Sequence, residues 1–231
     1  MKSFIEARAA ILAKHGERLI SVLAVLLAFL MFIGAPLVAF GDVTFHFVGA
    51  LTILVMIAVA IVLYGKLYVL VPMGLAFVMS VSAEVLRAFT PSTVDIYLSA
   101  FAWLILSGLW AMIVAPMVFG PGRVTSHRIV GAVFLYLLVA MVFACLYMII
   151  GADNPKAFSG LVVEDKVENM AHLIYFSLVT LTTAGYGDIA PVHPFARALT
   201  NLEAAFGSLY PATLIARLVS LEIEGRAKGQ V

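Results

Sequence analysis

Apolar residues occur along this chain in long runs that contain few or no charged residues. A helix needs about 20 apolar residues to cross the hydrocarbon core of a bilayer. We predict six membrane spans on this basis: residues 19–40, 47–64, 67–89, 96–119, 129–150 and 195–221. The first and fifth carry no charge, whereas Glu203 and Arg217 interrupt the sixth. The pattern predicts an all-α membrane protein with membrane lipid around it.

The composition supports lipid as the surrounding medium. Hydrophobic residues make up 64% of the 231 residues and charged residues 12%, whereas soluble chains are about 45–50% apolar and about a quarter charged. This excludes a disordered chain. A formal net charge of +1 provides no sustained basic surface for phosphates, so we expect no nucleic-acid partner. The single cysteine, Cys145, has no intrachain partner for a disulfide.

The distribution of basic residues predicts the orientation of the spans. Cytoplasmic loops carry the excess of Lys and Arg, and an inside N-terminus puts nine of these residues inside and four outside. The inside set is Lys2, Arg8, Lys14, Arg18, Lys66, Arg123, Arg128, Arg226 and Lys228, and the outside set is Arg87, Lys156, Lys166 and Arg197. We therefore expect a multi-pass membrane protein with both termini inside.

The same topology divides the chain into five parts. They are a cytoplasmic N-terminal segment (1–18), a four-helix membrane domain (19–119), a cytoplasmic linker (120–128), a pore region (129–221) and a short cytoplasmic tail (222–231).

One segment between the fifth and sixth spans is apolar but too short to cross. Residues 171–182 form a twelve-residue stretch, and at about 1.5 Å per residue such a helix reaches only about halfway through the membrane. The chain must therefore enter and return. Returning backbone has unpaired N–H and C=O groups, which are tolerated only when buried in protein or lining a water-filled path. We predict a re-entrant helix followed by an irregular segment at residues 183–188.

Residues 181–188 read Leu-Thr-Thr-Ala-Gly-Tyr-Gly-Asp. This segment closely resembles the pore sequence of tetrameric pore-loop potassium channels, commonly Thr-Val-Gly-Tyr-Gly-Asp. The similarity extends over residues 129–221, with an outer helix (129–150), a pore helix (171–182), a filter (183–188) and an inner helix (195–221). It implies a non-voltage-gated, bacterial-type potassium channel that is a homotetramer of six-span subunits.

The resemblance assigns roles to the filter residues. It implies that K+ is the permeant ion, coordinated by the backbone carbonyls of Thr183, Ala184, Gly185 and Tyr186 and by the Thr183 hydroxyl, with no other cofactor. Gly185 and Gly187 supply backbone conformations that residues with a side chain rarely adopt. Gly187 and Asp188 then shape the outer mouth.

Two features concern support of the filter. Ala184 stands where valine is usual, so packing behind the filter is reduced while the carbonyl is unchanged. We expect the Tyr186 side chain to point away from the axis and contact Tyr175 and Phe176. Glu203 lies within a span, where an ionisable group is usually functional. It either braces the pore helix or filter through hydrogen bonds, or pairs with Arg197 or interfacial water.

The inner helix contains a glycine and a proline four residues apart. The ring of Pro211 clashes with the carbonyl of Gly207, so this pair predicts a kink. In the family that the filter resembles, the inner helix bends near this glycine. Two readings stay open: a gating hinge and a static kink.

The first four spans contain no voltage sensor of the usual kind. The fourth span, residues 96–119, has neither Lys nor Arg, and a helix without charge gains almost nothing from a membrane potential. Only about ten residues follow the last span, so we also expect no cytoplasmic ligand domain to gate the pore.

Two alternatives to a potassium channel stay open. A weakly selective cation channel is one alternative, because Ala184 loosens the packing behind the filter. A non-conducting membrane scaffold or sensor is another. The spans contain no metal-ligand cluster, nucleophile–base pair or cofactor loop, so we expect neither an enzyme nor a small-molecule substrate.

Overall fold

The computed structural model describes residues 19–39, 46–63, 67–89, 92–120, 125–163 and 168–227. The predicted N-terminal segment 1–18, residues 64–66 between the second and third predicted spans, linker residues 121–124 and tail residues 228–231 lie outside these ranges. The helices are α1 (residues 19–39), α2 (His46–Leu63), α3 (Leu67–Phe89), α4 (Thr93–Phe119), α5 (Ser126–Asp153), α6 (Glu168–Leu181) and α7 (Pro194–Ala227).

Five of the described helices are long and apolar enough to cross a membrane. Their candidate spans are Leu19–Leu37, Leu67–Arg87, Thr93–Phe119, Arg128–Asp153 and Pro194–Leu221. Five of the six predicted spans are thus confirmed as helices of sufficient length. The remaining one, residues 47–64, coincides with the 18-residue helix α2, of which Leu51–Ile61 is found as a shorter apolar helix. A sixth span stays a prediction.

Helix α1 widens near its C-terminal end. Residues Leu30–Gly34 form a π-helical turn, in which the N–H of Ala35 donates to the carbonyl of Leu30. Pro36 follows and has no N–H to donate to the carbonyl four residues before it. The regular ladder is therefore interrupted, and π-turns of this kind are frequent at functional sites. The part of α1 after this turn packs against α6.

Helices α3 and α4 meet at a corner held by charge. The guanidinium of Arg87 donates to the carboxylate of Asp95 at 2.9 Å and contacts Glu84 at 3.3 Å. The N–H of Ser92 donates to the same Asp95 carboxylate at 2.9 Å. A carboxylate in the first turn also interacts favourably with the helix dipole. Asp95 thereby closes the α3–α4 connection.

The opposite end of α4 is capped by one arginine of α5 and one of α7. Arg128 donates to the carbonyl of Met117 at 3.0 Å and contacts the carbonyl of Gly120. Arg217 lies 3.4 Å from the carbonyl of Phe119. The last carbonyls of a helix have no partner within it and carry partial negative charge. These contacts attach α4 to α5 and α7.

The pore region contains two short strands in addition to its helices, so the all-α expectation is incomplete. Strand β1 (Phe158–Ser159) pairs antiparallel with β2 (Ala190–Pro191). At two residues each, these strands are too short for the alternating pattern that identifies a strand in a sequence. They connect the loop after α5 to the chain that follows the predicted filter.

Candidate functional site

The half-length helix lies where the sequence predicted it. Helix α6 has 14 residues, Glu168–Leu181, against the predicted 171–182. At about 1.5 Å per residue it is about 21 Å long, which is less than the hydrocarbon thickness of about 30 Å. Helix α6 ends at Leu181, and residues 183–188, which belong to no helix or strand, follow it. We call them the filter segment.

Hydrogen bonds hold the start of the filter segment against the end of α6. The N–H groups of residues 182–185 donate to the carbonyls of residues 178–180 over 2.9–3.2 Å. The next carbonyl, that of Leu181, accepts from the hydroxyl of Tyr136 on α5 at 2.8 Å. The last carbonyls of α6, which would otherwise lack partners, are therefore satisfied by the returning chain and by a neighbouring helix. This makes the turn from helix to filter segment a defined structure.

The backbone of the filter segment alternates in handedness. Thr183, Gly185 and Gly187 have φ values of +58°, +56° and +79°, whereas Ala184 and Tyr186 do not have positive φ. Successive residues of an ordinary strand point to opposite sides, and reversing the handedness of every second residue counteracts that alternation. The predicted special conformation of Gly185 and Gly187 is confirmed. Thr183 adopts it as well, which costs on the order of 1–3 kcal/mol for a residue of this kind.

Space alone does not require glycine at these positions. A Cβ added at Gly185 or Gly187 would meet nothing within 4 Å, so conformation is the constraint within one chain. Residues 182–188 are all exposed, and Tyr186 is 74% exposed. The filter segment is therefore an open surface of the single chain, available to an ion path and to further copies.

The outer end of the filter segment is fixed by the loop after α5. Gly160 has a φ of +79°, and a Cβ added there would overlap the carbonyl of Asp188. The β1–β2 pair lies beside this contact. The hydroxyl of Tyr175 on α6 donates to the Asp188 carboxylate at 2.8 Å. The hydrogen bond to this carboxylate raises the pKa of the Tyr175 phenol. Asp188 is thus held from two directions.

Glu203 lies in a buried network behind α6. Its carboxylate has no exposed surface and accepts from the Tyr147 hydroxyl of α5 at 2.6 Å. The Ser177 hydroxyl of α6 lies 2.5 Å from the other carboxylate oxygen and 2.8 Å from the carbonyl of Ala140. These contacts join α5, α6 and α7 around one side chain. Of the alternatives raised from the sequence, the geometry favours hydrogen bonds to the half-helix over a pair with Arg197, whose guanidinium contacts the carbonyl of Pro191.

Gly207 lies at the closest approach of α7 to α6. A Cβ at this position would overlap the carbonyl oxygen of Leu181, the last residue of α6. Helix α7 continues without interruption from Pro194 to Ala227, through Gly207 and Pro211. Close packing therefore gives a reason for glycine here that does not depend on bending. The hinge at Gly207 and Pro211 stays a prediction.

The two aromatic residues Tyr175 and Phe176 of α6 face different sides of the helix. Phe176 packs edge-on against Tyr147 at 5.0 Å and Phe158 at 5.5 Å between ring centroids. Phe176 lies on the buried side of α6 while Tyr186 is exposed in the single chain. The expected contact of Tyr186 with Phe176 stays a prediction. Tyr175 points to the filter side and bonds to Asp188.

Several residues of the site were missed by the sequence reasoning. Tyr147, Ser177, Tyr136 and Gly160 each contact the filter segment, α6 or Glu203 from elsewhere in the chain. Hydroxyl groups within otherwise apolar helices were the available signal, because a buried hydroxyl needs a partner. Which partner each one finds depends on how the helices pack.

Comparison with known proteins points to the same region. Residues 130–223 match the model of a family described as ion channel. Protein LctB of Bacillus caldotenax is 30% identical over 87 residues, which are 36% of this chain and 64% of that protein. Protein LctB of Geobacillus stearothermophilus is 31% identical over 80 residues, 33% of this chain and 59% of that protein. The chain therefore spans less than two thirds of the length of these two relatives.

The match coincides with the elements that build the site. It begins within α5 and ends within α7, and so includes α6, the filter segment and Glu203. An ion channel domain supports ion-channel function and indicates a protein other than an enzyme. Together with five apolar helices of spanning length, it supports an integral membrane protein.

Proposed function

We propose that this chain is the subunit of a potassium-selective channel that conducts K+ down its electrochemical gradient. The observation that supports it most is the alternating φ of the filter segment, at the end of a capped half-length helix inside an ion channel domain. Rings of backbone carbonyls replace the hydration shell of K+ in such filters. The carbonyls of Thr183, Ala184, Gly185 and Tyr186 would supply them, together with the Thr183 hydroxyl.

One chain contributes a single filter segment and cannot surround an ion, so the proposed unit is a homotetramer. The candidate span in α7 is only 17% buried, whereas that in α5 is 61% buried. An inner helix that lines a pore shared by four chains, and that contacts the other chains, would be this exposed in a single chain. The proposal includes both termini on the cytoplasmic side, following the distribution of Lys and Arg. It also includes a bacterial inner membrane, following the resemblance of the pore sequence to bacterial-type potassium channels.

Helix α4 gives the proposed channel no arginine voltage sensor. Its 27 residues contain neither Lys nor Arg, and about 2.3 kcal/mol per charge per 100 mV is the energy available to a helix that carries charge. We propose Glu203, Tyr175 and Phe176 as support of the filter segment and half-helix, and Gly187 and Asp188 as the outer mouth.

The test uses the purified protein in liposomes with K+ on one side and Na+ on the other. We expect a reversal potential close to that of K+. Gly185→Ala should abolish current or selectivity, because alanine disfavours the positive φ at this position. Gly74→Ala in α3, where an added Cβ meets nothing within 4 Å, is the matched control and should conduct as the wild type does.

A second candidate is a weakly selective cation channel. Ala184 leaves open space behind the filter segment, which favours a looser filter. A reversal potential near zero in the same liposomes would support this candidate. Absence of flux from verified tetramers would contradict both and favour a non-conducting scaffold or sensor.

A further inference from the structure

A cavity of about 710 Å³ lies between α1, α5, α6 and the filter segment. The π-helical turn of α1 and the residues after it form one wall, including Met31 and Phe32. Leu178 and Val179 of α6 form the facing wall, and Ala184 lies at the filter side. The cavity therefore borders the back of the predicted filter directly.

The lining decides what can fill this space. Most of it is apolar, with His172 and Tyr175 among its few polar residues. A buried water needs two to four polar partners, which the apolar walls do not provide. An empty space of this size would lose the dispersion contacts that packed interiors have. An apolar occupant is therefore required.

The cavity is continuous with the surface that faces lipid. Phe32 of α1 and Val133 of α5 both line it, and they are 60% and 53% exposed on candidate membrane spans. The medium at this surface is bilayer hydrocarbon. None of the described residues that line the cavity belongs to α7, the helix with the least buried span. The cavity thus opens to lipid at its α1 and α5 side, while Thr182, Ala184 and Tyr186 line the side where we expect copies to meet.

We propose that this cavity binds one acyl chain of a membrane lipid, which packs against Ala184 and the side of α6. Alanine at position 184 exposes space that the two additional methyl groups of a valine would occupy. A linear, flexible chain fits between walls of Met, Leu, Val and Phe side chains without leaving a polar group unpaired. The polar residues His172 and Tyr175 leave room for the more polar part of the lipid. Binding of the acyl chain requires only that the protein lies in a membrane. Any effect of the bound lipid on ion flux rests on the proposed function.

The test is photolabelling in liposomes made of phosphatidylcholine with a photoactivatable group on one acyl chain. Adducts mapped by mass spectrometry should appear on Met31 and Leu178. Met31 is 3% exposed, so general contact with lipid does not explain labelling there. Ala35→Leu, which fills the cavity from α1, should remove most of these adducts. Val25→Leu, at a 68% exposed position of the same helix, should leave them unchanged.

A second variant that fills the cavity keeps the test valid if the first one misfolds. Ala28→Leu projects into the same cavity from about two turns earlier, and both variants are compared as intact oligomers by size-exclusion chromatography. Equal labelling of Met31 in wild type and both filling variants would overturn the proposal. So would labelling of isolated chains that disappears in assembled tetramers, because a neighbouring copy would then fill the cavity.

Ion flux gives a separate readout. If the acyl chain supports the filter, wild-type flux should change with the length of the lipid acyl chains, and Ala35→Leu should reduce that dependence. Labelling without flux would leave the lipid site in place and contradict the proposed channel. Flux without labelling of Met31 or Leu178 would support the channel and contradict the lipid site.

Discussion

Asp95 in the first four helices and Glu203 in the pore region are both carboxylates without exposed surface, yet their partners differ in kind. Asp95 accepts from the Arg87 guanidinium and a backbone N–H within eight residues along the chain. Glu203 accepts only from hydroxyls in the described network, and Ser177 and Tyr147 lie 26 and 56 residues away. Asp95 closes a local corner, whereas Glu203 joins three helices around the half-helix.

The difference separates local from long-range stabilisation. A charged partner nearby in sequence stabilises a connection whatever the rest of the molecule does. A carboxylate satisfied by neutral hydroxyls from two other helices requires those helices to be in place first, because an unpaired buried polar group is costly. We infer that the pore region depends on its long-range contacts more than the first four helices do.

The largest effect is expected from Gly160→Ala. The added Cβ would overlap the Asp188 carbonyl, and the φ of +79° disfavours alanine by on the order of 1–3 kcal/mol in addition. The filter segment should shift, with loss of flux and a lower melting temperature of the purified protein. Gly108→Ala in α4, where a Cβ meets nothing within 4 Å, provides the matched change outside the pore region. Equal behaviour of the two variants would contradict the contrast between regions.

Glu203→Leu should come next. The Tyr147 hydroxyl loses its acceptor, which costs about 1–3 kcal/mol for an unpaired buried group, while Ser177 keeps the Ala140 carbonyl. We expect lower thermal stability and reduced flux. Glu203→Gln is the control, because an amide accepts from Tyr147 through its oxygen and donates to Ser177 through its nitrogen. If Glu203→Gln lowered thermal stability and flux as much as Glu203→Leu does, hydrogen bonding alone would not explain the role of this residue.

Asp95→Ala tests the other carboxylate. It removes the acceptor for the Ser92 N–H and the partner of Arg87, with an expected loss of about 1–2 kcal/mol, as for a helix cap. Unfolding in denaturant measures the loss. Flux per assembled tetramer should stay as in wild type, because the α3–α4 corner does not contact the filter segment. A change in ion selectivity would refute this separation of the regions.

Tyr147→Phe should have the smallest effect of the four. It removes one hydroxyl from the Glu203 network and should cost about 1 kcal/mol, with Ser177 still in place. Tyr97→Phe is the matched deletion in α4, where the hydroxyl donates to Asp153 in an exposed bond of 2.5 Å. Its effect on the melting temperature should be smaller, since water replaces that bond. A larger drop in melting temperature for Tyr97→Phe than for Tyr147→Phe would contradict the expectation that the buried hydrogen bond contributes more to stability.

Local properties of the chain were predictable from the sequence. Five helices of spanning length follow from runs of apolar residues, which reflect the surrounding lipid rather than any particular packing. The short length of α6 followed in the same way. The positive φ at Gly185 and Gly187 was predictable because glycine is the residue that adopts it readily.

Other features depended on residues far apart in the chain. No pattern distinguishes two-residue strands such as β1 and β2, and their pairing joins residues 158–159 to 190–191. Phe176 packs against Tyr147 of α5, and which face of α6 is buried depends on where α5 lies. The spacing of Gly207 and Pro211 predicts a kink, either hinged or static, whereas the contact of Gly207 with the Leu181 carbonyl becomes visible only in three dimensions.

The sequence by itself determined the medium, the half-length helix and the unusual backbone of the filter segment, because each depends on residue types within a short stretch. The tertiary structure decided what lies behind that backbone. It placed the hydroxyls of Tyr147 and Ser177 on Glu203, Gly160 against Asp188, and α1 beside a cavity at Ala184. The reason is physical: hydropathy acts on each segment alone, whereas a hydrogen bond or a cavity requires two segments to be positioned within a few ångströms of each other.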